Sequence, residues 1–113
     1  MADDCLFCRI VRGEIPAKLV FENEHCVAFP DLNPQAPVHV LVVPREHVES
    51  LDRATDSLLT GRLLVAAAAI ARQEHVAESG YRTVINTNRA AGQTVFHLHV
   101  HLLGGRSFDW PPG

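Results

Sequence analysis

Near its C-terminus the chain reads Phe96-His97-Leu98-His99-Val100-His101-Leu102-Leu103, so three of its seven histidines alternate with apolar residues. A period of two is the mark of an extended strand with unlike faces. Residues on one face then follow each other at about 6.6 Å. His97, His99 and His101 form one row, with Leu98, Val100 and Leu102 on the opposite face. Such a segment needs a sheet whose apolar side is covered, and Gly104-Gly105 ends it. Three chemical readings fit the row. It is a solvated face that tolerates histidine, a metal site, or a site for nucleophilic histidine. A neutral imidazole attacks phosphorus well and leaves readily once protonated.

The remaining segments predict an α+β domain spanning residues 1–113, built on an antiparallel sheet of about five strands. Cys5 to Val11 is apolar-rich and short, a helix stopped by Gly13 and Pro16. Lys18 to Glu22 and Cys26 to Phe29 are strands around a polar turn at Asn23-Glu24. Pro30 to Pro37 carries three prolines and forms a rigid loop. Val38 to Val43 is a β-branched run ended by Pro44, hence a buried strand. Asp56 to about Val76 is the one long helix, with Gly61 a weak point inside it and Gly80 as its stop. Tyr81 to Asn86 is a further strand, and Asn88 to Gly92 a polar loop leading into the histidines. Short connections between strands predict helices to one side of the sheet.

The formal net charge of −3, with both signs interspersed, leaves no footprint for nucleic acid or an anionic membrane. No stretch has the apolar length of a membrane span. The first four residues, Met1-Ala2-Asp3-Asp4, are acidic and polar, unlike a secretory signal. Three cysteines, two of them as Cys5-x-x-Cys8, suit a cytoplasmic chain better than a disulfide scaffold. That pair reads equally as a metal or redox site and as a chance pair on a buried helix. Cys26 falls in an apolar strand and belongs to the core.

Gly92-Gln93-Thr94 precedes the histidine row. A glycine admits a phosphate close to the backbone, and nearby N–H groups and a hydroxyl can donate to it. His97-Leu-His99-Val-His101-Leu-Leu resembles the histidine-triad (HIT) signature, His-φ-His-φ-His-φ-φ with φ apolar. Glu14 to Lys18, Asp31 to His39, and Leu103 to Arg106 with Trp110-Pro111-Pro112-Gly113 resemble the Hint branch, whose members are nucleoside phosphoramidases. The likeness runs through nearly the whole chain in order.

The resemblance implies a HIT-like fold and a role for each matching position. His99 is the nucleophile that becomes transiently nucleotidylated. His101 donates to the phosphoryl group or the departing amine, and His39 orients the proton network. Asn86 lies near the scissile bond. Gly92, Gln93 and Thr94 contact phosphate, and Thr94 stands where Hint proteins commonly carry serine. Asp31 accepts both ribose hydroxyls, and Leu32 packs on the nucleoside. Asp31 before Asn33-Pro34 also fits a plain turn residue.

Members of the wider superfamily hold zinc with a Cys-x-x-Cys, a histidine after the central strand, and the first histidine of the triad. Here those positions are Cys5, Cys8, His47 and His97. Such a closed set would be structural. The implied activity is hydrolysis of purine nucleoside phosphoramidates or related nucleotide conjugates by a homodimer, with no metal needed for the chemistry. A nucleotidyl transferase or phosphorylase, and a non-catalytic nucleotide-binding regulator, are the alternative classes.

Overall fold

The computed structural model describes residues 4–113. The Met1, Ala2 and Asp3 part of the acidic N-terminal segment lies outside the described residues. Five strands form one antiparallel sheet: β1 (Phe21–Glu22), β2 (Cys26–Pro30), β3 (Val38–Pro44), β4 (Tyr81–Val84) and β5 (Val100–Gly104). Their order across the sheet is β1-β2-β3-β5-β4. A short helix α1 (Leu6–Val11) precedes β1, and the long helix α2 (Ser57–Gln73) joins the two halves. Single 3₁₀ turns at Leu51–Arg53 and Arg89–Ala91, both absent from the sequence reading, fill the remaining connections.

The helices do not share one side of the sheet, as the connection lengths had suggested. Leu63, Ala66, Ala67, Ile70 and Ala71 of α2 pack on Cys26, Ala28, Val40, Val42, Leu98, Val100 and Leu102. On the opposite face Phe7 of α1 packs with Val27, Phe29, Leu41 and Val43. The cause is visible in β2 and β3, which are apolar at consecutive positions. A strand that presents apolar side chains to both faces must be covered on both.

Several element ends differ from those expected. β1 keeps only Phe21 and Glu22 of the strand expected from Lys18, because in this register Leu19 would face Pro30, which has no N–H. β4 ends at Val84, leaving Asn86 in the loop. β5 begins at Val100, so His97 and His99 precede the strand. Val42 pairs with Val100, and two residues further β3 reaches Pro44, where the ladder stops. The two faces nonetheless alternate through Leu98, Val100 and Leu102, all buried against α2.

Helix α2 starts at Asp56, whose carboxylate accepts the Leu58 N–H at 2.9 Å. It ends at Gln73, about three residues short of the expected end near Val76 and well ahead of Gly80. His75 takes φ +62°, its N–H donates to the Arg72 carbonyl, and the Val76 N–H reaches back to Ala71. These two bonds make a Schellman termination with histidine at the left-handed position. Val76 then sits against Gly104, where an added Cβ would lie 2.8 Å from the valine Cβ.

Gly104→Ala is therefore expected to destabilise the fold by about 1–3 kcal/mol through overpacking. Gly61 lies in the α2 interior, and a Cβ added there would meet nothing within 4 Å. Gly61→Ala is accordingly expected to stabilise by about 0.5–1 kcal/mol. Urea melts of both variants check the pair. Equal midpoints would contradict it.

Candidate functional site

A cleft of about 440 Å³ opens on the α1 side of the sheet. Its floor is apolar, with Phe7, Ile10, Phe29 and Leu41. Asp31, Asn86, Gly92, Thr94, His99 and His101 supply its polar groups. The imidazoles of His99 and His101 lie with ring centroids 5.0 Å apart. Burial pushes the His99, His101 and His39 rings below the usual histidine range, His101 to about 4. Each ring is neutral at pH 7 and carries one proton, so its neighbours decide which nitrogen holds it.

Those neighbours leave one tautomer per ring. His99 Nδ1–H donates to the His97 carbonyl at 2.7 Å, so Nε2 carries the lone pair. The Gln35 N–H donates to His39 Nδ1 at 2.9 Å, so His39 is protonated at Nε2. That proton goes to His101 Nδ1 at 2.9 Å, which leaves His101 Nε2 as an N–H donor. A lone-pair nitrogen and a donor nitrogen thus stand on adjacent rings in one cleft.

Asp31 Oδ1 accepts the Asn33 N–H at 2.8 Å, the turn role its sequence position suggested. Its Oδ2 lies 3.4 Å from His39 Nε2 and 4.0 Å from His101 Nδ1. Both oxygens retain a lone pair for a ligand. Leu32 is fully exposed at the cleft rim. Gly92 has φ +89°, a conformation that favours glycine, and with Thr94 it lines the cleft. Gln93 does not reach it. Its amide donates to the Glu49 and Val95 carbonyls and accepts the Asn88 N–H, so the side chain braces the turn from inside.

Phe7 also belongs to the site, though no motif in the sequence singles it out. It is buried, lines the cleft, and sets its ring edge-on to His99 at 5.1 Å and to His97 at 5.9 Å. Only its place between two cysteines in an apolar run could have marked it.

His97 faces away from the cleft, into a second cluster. Cys5 Sγ, Cys8 Sγ, His47 Nδ1 and His97 Nδ1 all lie within 4.8 Å of one another. His97 Nδ1 is 3.3 Å from Cys5 Sγ, 3.5 Å from Cys8 Sγ and 3.2 Å from His47 Nδ1. Cys8 Sγ is 3.2 Å from His47 Nδ1. A regular tetrahedron around zinc has edges of about 3.3 Å between nitrogens and about 3.5 Å between nitrogen and sulfur. The donor set fits that ion in chemistry and in size. His97 Nε2–H donates to the Pro44 carbonyl at 2.8 Å, which turns its lone pair toward the cluster. Burial holds the ring neutral, with its pKa pushed down to about 4. Cys5 also caps α1, its sulfur accepting the Cys8 N–H at 3.4 Å.

Asp31, His39 and His101 bring three further donor atoms together. There the Gln35 N–H occupies His39 Nδ1, so Nε2 holds a proton and is no ligand. That trio is a proton network.

A cleft that pairs a lone-pair imidazole with a donor imidazole can attack an electrophilic centre and donate a hydrogen bond to the charge that develops there. The HIT domain family model matches residues 12–108, and the chain belongs to that family. It is 56% identical over 115 residues to an uncharacterized HIT-like protein of Synechococcus elongatus, with all of both chains covered. It is 44% identical over 108 residues to purine nucleoside phosphoramidase of Escherichia coli K12, covering 94% of this chain and 91% of that one. Among solved structures, a HIT family hydrolase from Legionella pneumophila superposes with TM-score 0.94 at 47% identity, covering 97% of this chain and 100% of the other. A Zn-bound histidine triad family protein from Mycobacterium smegmatis gives 0.82 at 32% identity, covering 97% and 81%. No helix among the described residues is long and apolar enough to cross a membrane.

The His101 environment sets a pH dependence of stability. The unfolded ring takes a proton near pH 6.5, the folded ring only near 4. Across that window the unfolded state binds more protons, so stability is lost as pH falls from about 6.5 to about 4. The loss is at most about 3 kcal/mol. His101→Gln, which leaves the cysteine–histidine cluster untouched, is expected to show a shallower fall in urea melts over the same window. Parallel curves for the two proteins would contradict the assignment.

Proposed function

We propose that this protein hydrolyses purine nucleoside phosphoramidates or related nucleotide conjugates through a nucleotidyl-histidine intermediate on His99. The observation that carries this reading is the pair of opposite tautomers in the cleft, with a lone pair at His99 Nε2 and a proton at His101 Nε2. The 44% identical phosphoramidase supports the choice of substrate.

In the first step His99 Nε2 attacks the α-phosphorus and the P–N bond breaks. A phosphoramidate protonated on nitrogen departs as neutral amine, so no side chain is left short of a proton. The His99 ring becomes cationic, and its Nδ1–H still points to the His97 carbonyl, which stabilises that charge. His101 Nε2–H donates to a phosphoryl oxygen, with His39 holding its tautomer. Water then attacks phosphorus and the P–Nε2 bond breaks. Nucleoside monophosphate and a proton are released, and His99 returns neutral.

Asp31 accepts the ribose hydroxyls through its spare lone pairs, Leu32 and the apolar floor pack on the nucleoside, and Asn86 lies by the scissile bond. The Gly92 backbone and the Thr94 hydroxyl meet the phosphate, while Gln93 holds their turn in place. Cys5, Cys8, His47 and His97 would hold a zinc ion, as the Zn-bound relative suggests. Bound there, it would supply a closed structural cross-link between α1 and the sheet. The protein would act as a single domain and a homodimer in the cytoplasm.

Incubation with adenosine 5′-phosphoramidate is expected to yield AMP and ammonia. His99→Ala is expected to lower turnover by a factor on the order of 10³ or more. Full turnover by that variant, or none by the parent, would sink the mechanism. Products formed with added phosphate or a second nucleotide separate hydrolysis from transfer.

Metal analysis of protein purified without chelator is expected to find about one zinc per chain. Cys8→Ser should lose it, and a metal-free parent chain would remove the zinc assignment.

A further inference from the structure

We propose that the cysteine–histidine cluster and the nucleotide cleft are energetically coupled, so that zinc and nucleotide each raise the other's affinity. The coupling rests on the zinc and nucleotide readings above and adds a link that neither contains. Phe7 and the His97–Leu98 peptide are the positioning groups that carry it.

The first connection is through His97. Its Nδ1 belongs to the donor cluster, while its main-chain carbonyl accepts the proton of His99 Nδ1 at 2.7 Å. One residue therefore meets the metal with its side chain and the nucleophile with its backbone. The same peptide unit is tied at its other end, because the Leu98 N–H donates to the Val48 carbonyl at 2.6 Å. Val48 follows His47, itself a member of the cluster. His97 Nε2–H adds a third tie, to the carbonyl of Pro44. An ion joining His47 to His97 fixes both neighbours of the peptide plane that orients His99.

The second connection is through α1. Phe7 stands between Cys5 and Cys8, and its ring touches His97, His99 and Phe29 edge-on at 5.9, 5.1 and 5.4 Å. The same ring, with Leu6 and Ile10, forms the part of the cleft lining that α1 supplies, the α1 wall. A six-residue helix is too short to hold itself, so the wall stays in place only as far as the two sulfurs and Phe7 are held. Zinc at the sulfurs fixes Phe7, Phe7 limits the tilt of the His99 ring, and a nucleotide against the wall restrains the sulfurs in return. Coupling of this kind is reciprocal by linkage.

The test uses AMP as the nucleotide probe, with zinc-loaded and chelator-stripped protein whose metal content and circular dichroism are both recorded. Calorimetric titration is expected to show AMP binding on the order of tenfold weaker without zinc. AMP is expected to lower the zinc dissociation constant by the same factor. Cobalt(II)-loaded protein covers the case in which stripping unfolds the chain. There AMP should shift the visible d–d bands and slow cobalt release to a competing chelator. Phe7→Leu should keep stoichiometric metal and reduce the mutual effect. Equal AMP affinity with and without zinc, together with unmoved cobalt bands, overturns the coupling and leaves both parent readings standing. Failure to take up zinc overturns the metal reading with it, and failure of the zinc-loaded protein to bind AMP overturns the nucleotide reading.

Discussion

The peptide unit between His97 and Leu98 is the constraint on which the site depends. Its carbonyl takes the only proton of the His99 ring, and its N–H is anchored to Val48. Burial makes a charged imidazole costly here, so each ring is neutral and carries a single proton. In a neutral ring one good acceptor at Nδ1 commits the lone pair to Nε2. The free lone pair of His99 is thus defined by a backbone atom two residues earlier, not by a neighbouring carboxylate. His101 is defined in the opposite sense, through His39 and the N–H of Gln35.

The sheet register brings these groups together from distant parts of the chain. Leu41 pairs with His101 and His39 with Leu103, so His39 and His101 are diagonal neighbours on one face. Because β2 and β3 are apolar on both faces, that face cannot stay open, and α1 comes down on it beside the imidazoles. The cover is incomplete. What α1 leaves uncovered is the cleft, whose floor of Phe7, Phe29 and Leu41 is continuous with the smaller of the two cores.

Much of this was legible in the sequence wherever a pattern was local. The alternation from His97 to Leu102 marked the two faces, and the Val38 to Val43 run marked a buried central strand. Asp56 marked the start of α2. Cys5-x-x-Cys8 pointed to a cluster whose other two members came only from family resemblance, since His47 and His97 are 50 residues apart. Tertiary detail stayed hidden for physical reasons. No periodicity shows that Pro44 offers its carbonyl to His97, or that Gln93 turns its amide inward to Glu49. A left-handed histidine at position 75 ends α2 five residues ahead of the glycine that looked like its stop, because two backbone bonds close the helix there first. Connection lengths alone imply both helices on one side, and the doubly apolar β2 and β3 override them by requiring cover on both faces.

The three histidines share a spacing but not an environment, and the difference follows from where β3 ends. His101 lies within β5, opposite a paired residue, and so meets His39 across the ladder. His99 lies one residue before the strand, where the backbone is free to bend its carbonyls toward side chains instead of toward a neighbouring strand. His97 lies beyond the reach of the ladder, because Pro44 has no N–H with which to continue it. The Pro44 carbonyl then becomes available to a side chain, and His97 takes it. A regular motif laid across the end of a strand is divided by that end into a ring with its proton at Nε2, a ring with its lone pair at Nε2, and a ring turned to the cysteine cluster. Three identical side chains acquire three chemistries because the backbone around each satisfies its hydrogen bonds in a different way.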